Sequence, residues 1–159
     1  MTAPLTLRSA LCADLPQMRG LLDAYLQELD GRRAEDYPYF DAYWEESGRH
    51  PFSFESGPRT VGFAFVRGPA STGTEPNQMA EFYVRPDARR RGLGTQAARE
   101  IFRLFPGPWE LRAAAQPPAA VLFWKRVLSA PGIADLAIEA ERESEAEFRR
   151  FRFVSAPTG

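Results

Sequence analysis

Arg85-Pro86-Asp87-Ala88-Arg89-Arg90-Arg91-Gly92-Leu93-Gly94-Thr95 separates two segments of different period. Before it, Met79–Val84 is short and apolar and reads as a central strand. After it, Leu93, Ala97, Ala98, Ile101, Phe102 and Phe105 recur on one helical face, until Pro106-Gly107-Pro108 ends the run. The order is therefore strand, glycine turn, helix. Glycines at a helix start let the backbone fold so that several N–H groups converge. Together with the positive end of the helix, those groups make a seat for a phosphate or pyrophosphate. Three consecutive arginines add charge where such an anion would sit.

Outward from the turn, the chain alternates short elements. Thr6–Ala10 is a weakly alternating first strand. Asp14 then offers an N-cap with Gln17 in capping-box position, followed by Leu15, Met18, Leu21, Leu22, Tyr25, Leu26 and Leu29 at helical spacing, with Gly31 as the stop. The aromatic segment Asp36–Ser47 reads as a second helix. Phe52–Glu55 and Thr60–Val66 form a hairpin across Ser56-Gly57-Pro58, and Arg67–Asn77 is a loop between strands. Trp109–Ala115 alternates as a strand. Pro118–Leu128 carries a stripe of Ala120, Phe123, Trp124, Val127 and Leu128, with proline allowed in the first turn. Leu136, Ile138 and Ala140 alternate, as do Phe151 and Phe153. The expected order is β-α-α-β-β-β-α-β-α-β-β, an α/β (α+β) fold with a mixed sheet flanked by helices, in one domain over residues 1–159.

Composition narrows the function. At 159 residues with 44% apolar positions, the chain can close a hydrophobic core without staples. A single cysteine, Cys12, excludes an internal disulfide, and with one histidine, His50, a Cys/His metal cluster is impossible. No metal is expected. Net charge is −1, which gives no general pull toward nucleic acid or membrane. No apolar run reaches the roughly 20 residues of a membrane span. The N-terminal segment places Arg8 in its apolar stretch and Asp14 just after it, unlike a secretory signal, so the expected location is the cytoplasm. Of twenty basic residues, all but Lys125 are arginine.

Several readings of the turn compete. Gly92-Leu93-Gly94-Thr95-Gln96-Ala97 formally matches the G-x-G-x-x-A dinucleotide fingerprint. In that unit the strand runs straight into the first glycine, whereas Arg85–Arg91 intervenes here. A nucleic-acid patch lacks aromatic interleaving or a second basic stripe. A plain surface helix start with solvated arginines also remains open.

Val84-Arg85-Pro86-Asp87-Ala88-Arg89-Arg90-Arg91-Gly92-Leu93-Gly94 closely resembles motif A of the GNAT superfamily of acyl-CoA-dependent N-acyltransferases. That motif runs strand, V-x-P, Q/R-x-x-G-x-G/A, helix. The element order above is also the GNAT order, and Val61-Gly62-Phe63 resembles the V-G-F of its central hairpin. The resemblance implies acetyl-CoA as co-substrate, with the turn of Arg89, Arg90, Arg91, Gly92, Leu93, Gly94 and Thr95 holding the pyrophosphate through the N–H groups of Arg90 to Thr95. It implies that backbone groups of Phe82 and Val84 pair with the pantetheine arm, that an N–H near Phe82 polarises the thioester carbonyl, and that Phe123 contacts the coenzyme. Catalysis in this family is direct attack by an amine, largely through positioning. A small-molecule amine or peptide amine is the expected acceptor, and the family's frequent pairing makes a homodimer an expected assembly.

Glu81 lies mid-strand, an unusual place for a charge, where it can orient a cationic amine or take its proton; a solvent-facing strand residue is the plainer alternative. Many family members carry a tyrosine as second residue of the aromatic pair on the last helix, protonating the leaving thiolate. Trp124 stands there instead, and Pro117 replaces a frequent pantetheine-contacting asparagine. Tyr83, on Glu81's face by strand parity, is the substitute acid. Coenzyme A leaving as the thiolate is the other route. His50 reads as an exposed turn histidine, Cys12 as a small buried side chain, and Trp124 as core. Residues 37–44 either line the acceptor pocket or pack on the sheet as a helix.

Two function classes follow. The first is acetyl transfer from acetyl-CoA to an amine in a ternary complex. The second is a non-catalytic acyl-CoA-binding regulatory or interaction module, suggested by Trp124 and Pro117. Acceptor charge is addressed by two acidic stretches. Glu28–Glu46 carries seven carboxylates against Arg32 and Arg33, and Glu139, Glu141, Glu143, Glu145 and Glu147 alternate strictly. An extended chain would line the latter on one face, an acidic rim that attracts a cationic amine.

Overall fold

A computed structural model describes residues 3–68 and 75–157. Most of the expected loop between Arg67 and Asn77 therefore lies outside the described residues. Strands β1 (Leu5–Ser9), β2 (Arg49–Ser56), β3 (Arg59–Arg67), β4 (Asn77–Val84), β5 (Gly107–Ala114), β6 (Ile133–Glu143) and β7 (Ala146–Ser155) alternate with helices α1 (Leu15–Asp30), α2 (Ala42–Glu45), α3 (Leu93–Leu104) and α4 (Ala119–Val127) in the expected order. The seven strands form one mixed sheet in the order β1-β2-β3-β4-β5-β7-β6. By its contacts the chain divides into two units, Met1–Arg67 with Glu81–Ala97 and Gly68–Ala80 with Ala98–Gly159, so β4 and α3 each begin in one unit and end in the other.

In the first unit, β1, β2 and β3 pair antiparallel, with Leu7 opposite Phe54 and Phe52 opposite Ala64. Helix α1 buries Met18, Leu21, Leu22 and Leu26, spaced to fall on one stripe. Each such side chain contributes about 1.5–3 kcal/mol on burial. On one face of β3, Phe63 and Phe65 receive Tyr25 edge-on at 5.7 Å and Tyr43 stacked at 4.2 Å. On the other, Phe54 meets Phe82 at 5.3 Å. Gly62 permits this approach of β4, because a Cβ there would run into the Tyr83 carbonyl.

Four expectations for this unit are corrected. The capping box at Asp14 does not form: the Asp14 carboxylate pairs with Arg8 at 2.8 Å and accepts the Leu11 N–H at 2.7 Å, while Gln17 donates to Thr60 Oγ1 at 2.8 Å. A guanidinium within reach offers a stronger, charge-assisted partner than a helix N–H. The aromatic segment is a short 3-10 turn, Ala34–Asp36, and the four-residue α2 rather than one helix. Pro38 is the cause, since it holds the preceding Tyr37 extended at φ −97°, ψ 106°. Cys12 is exposed, on a surface 3-10 turn, and His50 sits within β2 opposite Val66 rather than in a turn.

In the second unit, β4 starts parallel to β5, from Asn77 opposite Trp109 to Met79 opposite Leu111. Strand β7 lies antiparallel between β5 and β6. Phe102 of α3 packs edge-on against Trp109 at 4.9 Å and Phe153 at 5.1 Å. Trp124 is core, as expected, 5% exposed beside Phe102 and Phe123. The α4 stripe buries Trp124, Val127 and Leu128 as expected, but it begins at Val121 rather than Ala120, which is exposed, and Phe123 is half-buried. Leu136 and Ile138 alternate on β6 but remain 39% exposed, because β6 is an edge strand with a bulge between Ala134 and Ala137.

Candidate functional site

The glycine turn is built as the sequence suggests. A 3-10 turn, Pro86–Ala88, follows β4, and the chain then passes through Arg90 at φ +64° and Gly92 at φ +79° before α3. Gly92 is the residue type such a backbone favours, and no atom lies within 4 Å of where its Cβ would stand. The first bond of the helix runs from Gln96 N–H to the Gly92 carbonyl at 3.1 Å. The N–H groups of Leu93, Gly94 and Thr95 thus precede the intrahelical ladder, at the positive end of the helix. That donor set suits a phosphate ester. Arg90 and Arg91 are exposed, while Leu93 is 3% exposed and anchors the turn.

Arg89 behaves differently from its two neighbours. Its Nε donates to the Val84 carbonyl at 2.9 Å, its Nη2 to Glu28 Oε2 at 2.8 Å, and its Nη1 lies 2.8 Å from Glu28 Oε1. The guanidinium carbon is 5.7 Å from the centre of the Tyr83 ring.

Three phenols gather at Glu81. The Tyr25 hydroxyl donates to the Glu81 carboxylate, and burial followed by that charge pushes the phenol well above its ordinary range. Burial, then the field of Glu81, raises Tyr37 as well. Tyr37 donates to Tyr43, which also accepts from Arg49; burial outweighs both and leaves Tyr43 raised. The arginines at the margin hold carboxylates of their own, Arg32 with Asp30 at 2.7 Å and Arg49 with Glu46 at 3.2 Å.

Tyr83 shares this face, as strand parity requires. It is 5% exposed, its ring 5.6 Å from Tyr25 and 6.1 Å from Phe63. Burial and then Glu28 raise its phenol, and Arg89 partly opposes them. Tyr25 thus touches both sequence candidates, Glu81 through its hydroxyl and Tyr83 through its ring. Sequence reasoning took Tyr25 only as one position of an apolar stripe. Its signal was a hydroxyl on an otherwise aliphatic face. Phe82 points to the opposite side of β4, toward Phe54. Phe123 lies in α4, against Trp124.

Four of the five alternating glutamates are paired with arginines, contrary to a rim of unpaired charge. A turn at Ser144 and Glu145 folds this stretch into a hairpin, so Glu147 faces Arg142 across it instead of continuing the line. Glu139 pairs with Arg152 at 2.7 Å, Glu141 with Arg150 at 2.9 Å, Glu143 with Arg112 at 2.7 Å and Glu147 with Arg142 at 2.6 Å.

No curated protein matches the chain. Solved structures match it along almost its whole length at low identity, which shows the fold. The ribosomal-protein-S18-alanine N-acetyltransferase of Escherichia coli is 14% identical, covers 98% of this chain and 96% of its own, and superposes with a TM-score of 0.70. Spermidine N-acetyltransferase from Vibrio cholerae, in complex with CoA and spermine, is 14% identical with 95% of each chain covered and a TM-score of 0.70. An acetyltransferase from Thermus thermophilus is 16% identical, covers 96% and 98%, and has a TM-score of 0.66. No helix among the described residues is long and apolar enough to cross a membrane. Residues 15–127, containing the turn, β4 and Glu81, match the acetyltransferase (GNAT) family, and the chain belongs to that family.

Proposed function

We propose that the chain transfers the acetyl group of acetyl-CoA to an amine that arrives as a cation, by direct attack in a ternary complex. The observation that carries this reading is Glu81, placed among three phenols on the strand that leads into the glycine turn. The turn seats the pyrophosphate on the N–H groups of Arg90 to Thr95, with Arg90 and Arg91 adding charge. Backbone groups of Phe82 and Val84 hold the pantetheine arm.

Bound acetyl-CoA supplies an activated acetyl group. Glu81 holds the ammonium by charge, and the tyrosine faces favour a cation over a neutral ligand. Glu81 takes one proton, directly or through water, freeing the nitrogen lone pair. As the N–C bond forms and the C–S bond breaks, Tyr83 gives its proton to sulfur. The acylated nitrogen sheds its surplus proton, which returns the tyrosinate to the phenol through solvent, and Glu81 releases its own proton to water. The raised pKa of Tyr83 keeps its proton in place at neutral pH. Cationic selectivity rests on Glu81 and not on the glutamates of β6 and β7, which arginines neutralise.

The solved Vibrio cholerae relative, crystallised with CoA and spermine, makes polyamines the first acceptors to try. A thiol-release assay with acetyl-CoA and a panel of polyamines, basic amines, neutral amines and peptide N-termini tests the reading. Turnover that favours cations and falls with added salt supports it. Preference for anionic acceptors overturns the cationic assignment. A second reading, a non-catalytic acyl-CoA-binding module, is favoured by Trp124, whose indole is buried where a proton donor is common. Tight coenzyme binding without thiol release on any acceptor would establish it.

A further inference from the structure

The sequence presents Arg89, Arg90 and Arg91 as equivalent charges for an anion, but the structure separates them. All three are exposed on the turn, but Arg89 alone of them holds a carboxylate among the described residues. Its polar ends are all engaged within the chain: Nε with the carbonyl that ends β4, and both Nη groups, at the surface, with the carboxylate of Glu28 on α1. A fork that grips a carboxylate with two nitrogens has little freedom left, and its central carbon sits over the Tyr83 ring, 5.7 Å from the centroid. One side chain therefore joins α1, the end of β4, the first residue of the phosphate turn, and Tyr83. Tyr83 in turn rests on Tyr25, whose hydroxyl meets Glu81.

We infer that Arg89 is a positioning residue and not a phosphate ligand: with Glu28 it forms a clip that fixes Tyr83, and through Tyr25 the acceptor carboxylate, relative to the coenzyme turn. The inference rests on the reading that this turn seats coenzyme A. It assigns the three arginines two different tasks, binding for Arg90 and Arg91 and alignment for Arg89. The charged and titratable groups facing Tyr83 are Glu28 and Tyr25 from α1, Arg85 and Asp87 from the connection after β4, and Arg89 itself. Glu28 and Arg89 act on its phenol in opposite senses.

Two measurements test the clip. In the first, coenzyme A binding and steady-state turnover are compared for Arg89→Gln, Arg89→Lys, Glu28→Gln and the double variant Arg90→Gln/Arg91→Gln. Arg89→Gln and Glu28→Gln should each lower kcat about 10-fold while changing the Kd of coenzyme A less than about 3-fold, the size expected when one aligning contact is lost. Arg89→Lys should recover part of kcat, since it keeps the charge but not the fork. The double variant should weaken coenzyme A about 10-fold or more, as loss of two charges at an anion site requires. A Kd for Arg89→Gln weakened as far as in the double variant, with kcat at saturation unchanged, makes Arg89 a phosphate ligand and overturns the clip.

The second measurement needs no ligand, so it stands if the turn binds no coenzyme at all. Tyrosinate absorbance is titrated in each variant with and without Tyr83→Phe, and the difference isolates Tyr83. Arg89→Gln should move the Tyr83 midpoint up and Glu28→Gln should move it down. Shifts in the same direction, or none, would mean that the two side chains do not hold the ring and would sink the inference. Absence of coenzyme A binding in the unsubstituted protein, with opposite Tyr83 shifts intact, would instead defeat the coenzyme reading alone.

Discussion

Two carboxylate-bearing regions of this protein invite opposite conclusions from sequence and structure. Strands β5, β7 and β6 carry Glu110, Glu139, Glu141, Glu143 and Glu147, and each is within ion-pair distance of an arginine. The strand β4 carries Glu81, met from α1 by the Tyr25 hydroxyl and surrounded by the fields of two further tyrosines. The first region is dense in charge and locally balanced. The second is sparse: its carboxylate meets the Tyr25 hydroxyl, and its field also reaches Arg32, which holds Asp30. Chemistry depends on what compensates a charge rather than on how many charges a segment holds. A carboxylate held by phenols can still attract a cation and accept a proton, whereas one gripped by a guanidinium fork has spent that capacity.

The sharpest way to break this comparison is Glu81→Gln. It keeps shape and hydrogen bonding but removes the charge, and kcat/KM for a cationic acceptor should fall about 100-fold, the lower range for loss of a general base. Thermal unfolding should move little, which separates the effect from misfolding. Tyr25→Phe comes next. It removes the donor to Glu81 while keeping the ring against Phe63 and Tyr83, and kcat/KM should fall about 10-fold, in keeping with a hydrogen bond to a charged group. An unchanged rate in either variant would place the reacting groups elsewhere.

The two kinds of compensation also respond to pH in opposite directions. Tyr25, Tyr37, Tyr43 and Tyr83 are all raised, chiefly by burial, so the stability they carry is present below the ordinary phenol range near 10 and is lost as pH rises through their folded values. Asp14 is lowered by Arg8 and the Leu11 N–H. Burial raises Glu55, but Ser53, Thr60 and Arg8 donate to it and leave it lowered. Those contributions are present above the ordinary carboxylate range near 4 and fade as pH falls through the folded values. Denaturant midpoints measured from pH 2 to 12 should therefore drop at both ends. Arg8→Gln should flatten the acid side and leave the alkaline side as it was.

The smallest effect is expected on the balanced face. Glu143→Gln with Glu145→Gln should leave KM for a polyamine within about 2-fold, and Arg152→Gln should change stability by no more than about 1 kcal/mol, as half-exposed ion pairs do. A large rise in KM would restore the acidic rim that sequence alone suggested.

What sequence could and could not reveal follows from the range of the forces involved. The turn at Gly92 was legible because its conformation is set by a few adjacent residues. The helix-to-strand order was legible because burial imposes a period on each element. The partners of the glutamates were not, since Arg112 and Glu143 are 31 positions apart and meet only through strand pairing. The same holds for Tyr25 and Glu81, which come together only when α1 packs on the sheet. Asp14 shows a nearer failure: its local pattern fits a helix cap, but Arg8, six residues earlier, competes successfully for the carboxylate.

The central claim, that the glycine turn and β4 hold an acyl-coenzyme beside Glu81, is tested most directly by calorimetric titration of acetyl-CoA. The unsubstituted protein should saturate below millimolar ligand, a binding free energy of roughly −4 kcal/mol or better. Gly94→Trp, which puts a bulky side chain at the pyrophosphate seat, should lose that binding. No heat of binding at millimolar acetyl-CoA, or equal affinity in the Gly94→Trp variant, would contradict the account.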